Sequence, residues 1–339
     1  MNDRKQNILW VGVATLIFAV LLWTADLNLF LEKISQARPS YIGIALLAGF
    51  GVLLSWTANW YNFFKVSNIN CSFRKTFQMM SAGQFLNAVT PLGQFGGQPF
   101  MAYMISSNSK TSYEKSLATV MSADLLAIIP LSTFVLSGYL YTVFSGSSSS
   151  QIAGMTAVTA SLLLFGIVMG YIGWYRPGTL ENSVLVVFEK ITSFIGRGSH
   201  LVDKLESRLE NIEDTFETVG NNPKAILRAL AITHTAFLFK MAAFYAVVMS
   251  LGLSINPFYV MLIIPIASTA NFSPTPGGTG TFEAVMAQLT MIFMGVSFEI
   301  GLAIGILHRV ATYWLHIVVG YIGMSTLNIS TNSMEKIPE

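Results

Sequence analysis

Charge is what this sequence has least of: 11% of its 339 residues are Asp, Glu, Lys or Arg, against about 25% in soluble domains. With 53% hydrophobic residues, that scarcity excludes an ordinary soluble globular protein. The 19 Lys+Arg and 17 Asp+Glu leave a formal charge of +2, so no bulk field invites nucleic acid. A single cysteine, Cys71, excludes an internal disulfide, and no Cys/His run has zinc-ligand spacing, so no metal is expected. Nucleotide loops are missing as well. No Gly-rich loop ends in Lys-Ser/Thr, and Gly278-Thr279-Gly280 lacks the preceding strand and the third glycine of a dinucleotide fingerprint. Neither a cofactor nor direct ATP use is expected. No Ser/His/Asp or Cys/His arrangement is legible, and the chain is not expected to be an enzyme.

What the sequence has instead is long apolar segments. A bilayer core of about 30 Å takes about 20 helical residues, and six segments qualify: 7–25, 40–64, 115–144, 151–175, 224–251 and 298–325. The first follows Arg4 and Lys5 like a signal peptide, but no small-residue cleavage pattern comes after it, so it reads as a span.

Two apolar segments are interrupted. Residues 257–270 and 280–295 reach only about 21 and 24 Å as helices, and Asn271-Phe272-Ser273-Pro274-Thr275-Pro276-Gly277-Gly278-Thr279 between them cannot be crossed by an intact helix. The segment 257–295 therefore reads as a re-entrant hairpin of two half-helices. In 76–106, Pro91-Leu92-Gly93-Gln94-Phe95-Gly96-Gly97-Gln98-Pro99 interrupts a second apolar stretch in the same way. Asn87, Pro91, Gly96 and Gly97 in one hairpin echo Asn271, Pro276, Gly277 and Gly278 in the other. Paired interruptions in corresponding positions of two halves point to a binding site at the bilayer midplane.

Lys and Arg set the orientation. Placing both termini and the loops 65–75, 106–115 and 176–228 on one side collects fifteen of them against Lys33 and Arg38 on the other, which makes the crowded side cytoplasmic. The first hairpin then enters from the cytoplasm and the second from outside. The predicted fold is all-α: one polytopic inner-membrane unit over 1–339, about six full spans plus two inverted re-entrant hairpins related by a pseudo-two-fold. Residues 180–219 carry apolar side chains at three-to-four spacing and read as two amphipathic cytoplasmic helices.

Four ionisable residues fall inside apolar segments: Asp124, Lys240, Glu283 and Arg309. Left facing lipid they would cost on the order of 10 kcal/mol together, so they pair or face water. Arg309 offers a permanent charge and a planar fork for phosphate oxygens, and Lys240 a mobile point charge, unless it snorkels. Asp124 and Glu283 balance charge or meet a cationic group. A structural ion pair of Glu283 with Arg309 stands as the alternative. Gly277, Gly278 and Gly280 open a half-helix whose first N–H groups favour an anion, unless Glu283 caps them itself. Gln84, Asn87, Gln94 and Gln98 add uncharged hydrogen-bonding groups. His234, His308 and His316 lie in spans, where packing is the commoner role than proton relay.

From Ser273 to Glu283, and again over His308-Arg309-Val310-Ala311-Thr312-Tyr313-Trp314, the sequence resembles the lysylphosphatidylglycerol synthase transmembrane-region family, a flippase-like module. Gly96-Gly97-Gln98-Pro99-Phe100-Met101-Ala102-Tyr103 is similar to its other signature, although Gln98 and Met101 stand where the family often has an acid and a base. The resemblance implies lipid handling: movement of a modified phospholipid between leaflets, with membrane lipids as ligands and a separate lipid-modifying enzyme as a candidate partner. A second copy of the chain is another candidate partner. No synthase domain is expected after the last span, and aminoacyl transfer is therefore not expected either. The alternatives are a membrane enzyme or enzyme partner acting on polyprenyl-phosphate-linked sugars, with Asp124 or Glu283 as general base, and a scaffold that docks through 180–219.

Overall fold

The computed structural model describes residues 27–89, 98–109, 111–146, 154, 164, 218–273 and 275–327. All regular structure among the described residues is helical. The expected span 7–25, most of 151–175 and 180–219, and Pro91, Gly96 and Gly97 lie outside them.

A short helix, α1 (Leu27–Ser35), precedes the long α2 (Pro39–Val66). Then come α3 (Phe73–Val89), α4 (Gln98–Ser109), α5 (Tyr113–Leu125) and α6 (Ile128–Phe144). The second half holds α7 (Pro223–Ser250), α8 (Pro257–Thr269), α9 (Thr281–Met294), α10 (Phe298–Arg309) and α11 (Leu315–Thr326). Starts are written into the sequence. Asn222 and Asn256 each precede a proline and accept from Ala225 N at 3.1 Å and Phe258 N at 3.0 Å, the cap-then-proline arrangement that suits a first helical turn.

Among the described residues, four helical stretches are long and apolar enough to cross a membrane: Pro39–Val66, Tyr113–Phe144, Pro223–Ser250 and Phe298–Thr326. They coincide with four of the six expected spans. Two are not uniform. The third-in-sequence expectation, 115–144, breaks at Leu126-Ala127, because Pro130 has no N–H and its ring crowds the carbonyl four residues back. The last passes through a π-helical turn, Val310–Trp314, between α10 and α11.

Packing uses small residues, as expected where lipid supplies no hydrophobic drive between helices. Helix α2 lies along α7, with Gly51 under the Phe239 ring and Asn62 Nδ2 donating to Ala225 O at 2.9 Å. On α11, Gly320 and Gly323 meet the Ser81 and Gln78 carbonyls of α3, and Gly301 of α10 sits on Ala287 and Thr290 of α9. Outward faces carry exposed Leu47, Leu136, Leu227, Leu238, Val318 and Ile322. Such exposed apolar faces suit a bilayer rather than water.

The interruption expected between 257 and 295 is present. Helices α8 and α9 have 13 and 14 residues, about 20 and 21 Å at 1.5 Å per residue. Between them run the 3₁₀ turns Ala270–Phe272 and Pro276–Gly278. Gly277, Gly278 and Gly280 adopt φ of 57°, 70° and 84°, a region costly for residues with a Cβ. At Gly277 a Cβ would also stand 2.3 Å from the Tyr313 hydroxyl. In the other interrupted segment, α3 ends at Val89 and α4 starts at Gln98.

Candidate functional site

Between these helices lies a cavity of about 640 Å³, within the usual size of small-ligand sites. Its wall joins residues far apart in sequence: Gln84 and Asn87 from α3, Asp124 from α5, Lys240 from α7, Asn271 and Gly277 from the second interruption, and Arg309 from the end of α10. Trp56, Trp60, Phe237, Phe282 and Tyr313 add aromatic surface, and His308 and His316 also face it. Of the residues expected at a site, the cavity thus gathers Asn87, Asp124, Lys240, Asn271, Gly277 and Arg309.

Arg309 is buried, and each of its nitrogens meets a protein group. Nε lies 3.2 Å from Glu283 Oε1, an ion pair rather than an aligned hydrogen bond. Nη1 donates to Gly277 O at 3.0 Å and Nη2 to Thr279 Oγ1 at 3.2 Å. One guanidinium face lies 3.6 Å from the centre of the Tyr313 ring. Tyr313, four residues on and so on the same helix face, donates from its hydroxyl to Ala88 O at 3.3 Å. Arg309 and Tyr313 therefore clasp the loop 276–280 to the end of α3, where the first interruption begins.

The half-helix start is likewise engaged internally. Gly278 N donates to Thr275 O at 3.0 Å and Thr279 N to Pro276 O at 3.1 Å. Gly280 N donates to Glu283 Oε2 at 2.8 Å. The geometry thus realises the two alternatives weighed for Glu283, capping carboxylate and counter-ion of Arg309. Those three amides and that guanidinium thus have partners within the protein. Pro276 and Gly278 shape the loop without lining the cavity.

The other pair of intramembrane charges differs. Lys240 Nζ stands 5.1 Å from the centre of the Phe237 ring, and no carboxylate among the described residues lies within ion-pairing distance of it. Asp124 Oδ2 accepts from Gln98 Nε2, so Gln98 stands behind the carboxylate. His316 Nε2 is bonded to Gly49 O at 2.8 Å, while the His308 ring is stacked on Phe282 at 6.1 Å. The Trp60 indole lies beside the Asp124 carboxylate as a second donor, and two further buried polar atoms, Asn87 Oδ1 and His308 Nδ1, have no partner among the described residues.

Tyr313, Trp60 and Gly49 are the contributors that sequence reasoning did not single out. Tyr313 had a signal in its spacing from Arg309. Gly49 had none, since only the fold shows that a Cβ there would stand 1.9 Å from Ala311 O.

The pattern that defines the lysylphosphatidylglycerol synthase TM region matches residues 8–320. The chain belongs to that family. Among its relatives, a UPF0104 membrane protein of Pyrococcus horikoshii is 25% identical, the match covering 94% of this chain and 95% of the relative. UPF0104 membrane proteins of Methanothermobacter thermautotrophicus and Methanocaldococcus jannaschii are each 22% identical, covering 99% and 94% of this chain and 100% and 94% of the relatives. Within the family match fall both interruptions, the clasp and every described residue of the cavity wall.

Proposed function

We propose that this family member is a lipid transporter of the flippase type, in which the cavity receives a phospholipid headgroup near the middle of the membrane while the acyl chains stay in lipid. The observation that carries the reading is the polar, charged wall of the cavity inside an otherwise apolar bundle. A charge at that depth costs about 2.5–3.5 kcal/mol on insertion scales, and water or a polar ligand in a cavity offsets it.

In this reading the two interrupted segments are re-entrant hairpins of opposite orientation, and the spans outside the described residues complete the unit. Irregular backbone at bilayer depth is tolerated where protein buries it or a cavity hydrates it, and the loop 275–280 meets the first condition at Thr275, Gly278 and Gly280, all buried. Lys240 meets the headgroup phosphate. Arg309 and Glu283 act as positioning residues that hold the cavity's shape.

Purified protein reconstituted into vesicles with a tail-labelled fluorescent phospholipid tests this. Added dithionite bleaches only the outer-leaflet label in protein-free vesicles. Transport predicts that the inner-leaflet label is bleached as well; retention of that inner fraction by folded, reconstituted protein contradicts it.

A further inference from the structure

Arg309 is neutralised by Glu283, and its nitrogens are engaged. Among the described residues of the cavity wall, the charges left are then one of each sign, Lys240 from α7 and Asp124 from α5. They form no ion pair with one another, although both face the same cavity. Opposite charges held apart across a cavity each keep an uncompensated field, and the field is strong where the surroundings are apolar. A purely anionic ligand at Lys240 would be repelled by Asp124, and a purely cationic one at Asp124 by Lys240. A ligand carrying both charges satisfies both.

A buried polar atom on the same wall points to the ammonium end. Asn87 Oδ1 is a buried acceptor without a donor, suited to an ammonium hydrogen. Leaving that bond unmade costs about 1–3 kcal/mol, so this atom favours a ligand that supplies a donor.

We infer that the cavity is selective for a zwitterionic phospholipid headgroup, one joining a phosphate to a primary ammonium as phosphoethanolamine does, with phosphate at Lys240 and ammonium at Asp124. The assignment rests on the transport reading for its route but on the cavity wall for its chemistry.

The test compares tail-labelled phosphatidylethanolamine with tail-labelled phosphatidylglycerol in the vesicle assay, and lipid retention by native mass spectrometry on the same full-length protein. Wild type should transfer and retain the ethanolamine lipid about tenfold better, the ratio set by a single buried charge interaction of modest strength. Asp124→Asn keeps the side-chain shape and removes the repulsion, so the preference should fall or invert toward phosphatidylglycerol. Lys240→Gln should weaken both lipids and phosphatidylglycerol more. Equal handling of the two lipids by wild type, or an Asp124→Asn ratio equal to that of wild type, overturns the headgroup assignment and leaves transport standing. Selective retention of the ethanolamine lipid without any transfer sustains the assignment and overturns transport. If either variant fails to fold, the wild-type ratio decides.

Discussion

Glu283 serves two groups at once, one oxygen on the Gly280 amide and the other beside Arg309. Removing one member of such a buried pair leaves an uncompensated charge, whereas removing both removes the penalty. Glu283→Ala should therefore cost about 3–5 kcal/mol of stability, read as loss of folded protein on heating in detergent. Glu283→Met with Arg309→Met should recover a large part of it; a double variant as unstable as the sum of the singles would show that the charges are independent. Cys71 offers a separate check on local structure. It lies half-buried in the α2–α3 connection, and burial pushes its thiol up from the ordinary value. Since the thiolate is the reactive form, labelling by maleimide should be slow at neutral pH and accelerate as pH rises.

At the scale of elements, close approach of small residues sets which helices touch. Gly49 and Gly43 share α2 and differ in surroundings: a Cβ on Gly49 would strike Ala311 O at 1.9 Å, while nothing lies within 4 Å of one on Gly43. Gly49→Ala should force α2 away from the π-helical turn and cost about 1–3 kcal/mol or more. Gly43→Ala should be neutral or stabilise by up to about 1 kcal/mol. Thermal denaturation of the two variants side by side checks this, and equal effects would contradict the packing described.

How much of these elements was legible follows from the same physics. Apolar length set four spans to within a few residues, and Pro/Gly runs set the break between α8 and α9, because both signals are local. The break at Leu126-Ala127 had its signal in Pro130, which composition averaged over 115–144 concealed. The π-helical turn at Val310–Trp314 has no breaker residue and answers to tertiary contact instead. In the site, the identity of the buried charges was legible from their rarity. Their pairing was not: whether Arg309 meets Glu283 or a ligand depends on how the loop 276–280 folds back onto α10.

For the whole molecule, the fold places a polar cavity inside apolar helices and joins its two interrupted segments through one arginine and one tyrosine. Tyr313→Phe removes the bond to Ala88 O while keeping the ring under Arg309. It should cost about 0.5–1.5 kcal/mol, the net worth of one hydrogen bond, and should slow headgroup transfer more than it lowers the melting temperature suggests; unaltered transfer would remove the clasp from the account.

Filling the cavity addresses the central claim most directly. Ala127 lies on its wall at the break between α5 and α6, and Ala127→Trp places a large side chain into that space. Folded Ala127→Trp protein in vesicles should leave the inner-leaflet label as protected from dithionite as in protein-free vesicles. Transfer at the wild-type rate through the plugged variant would contradict passage of the headgroup through this cavity.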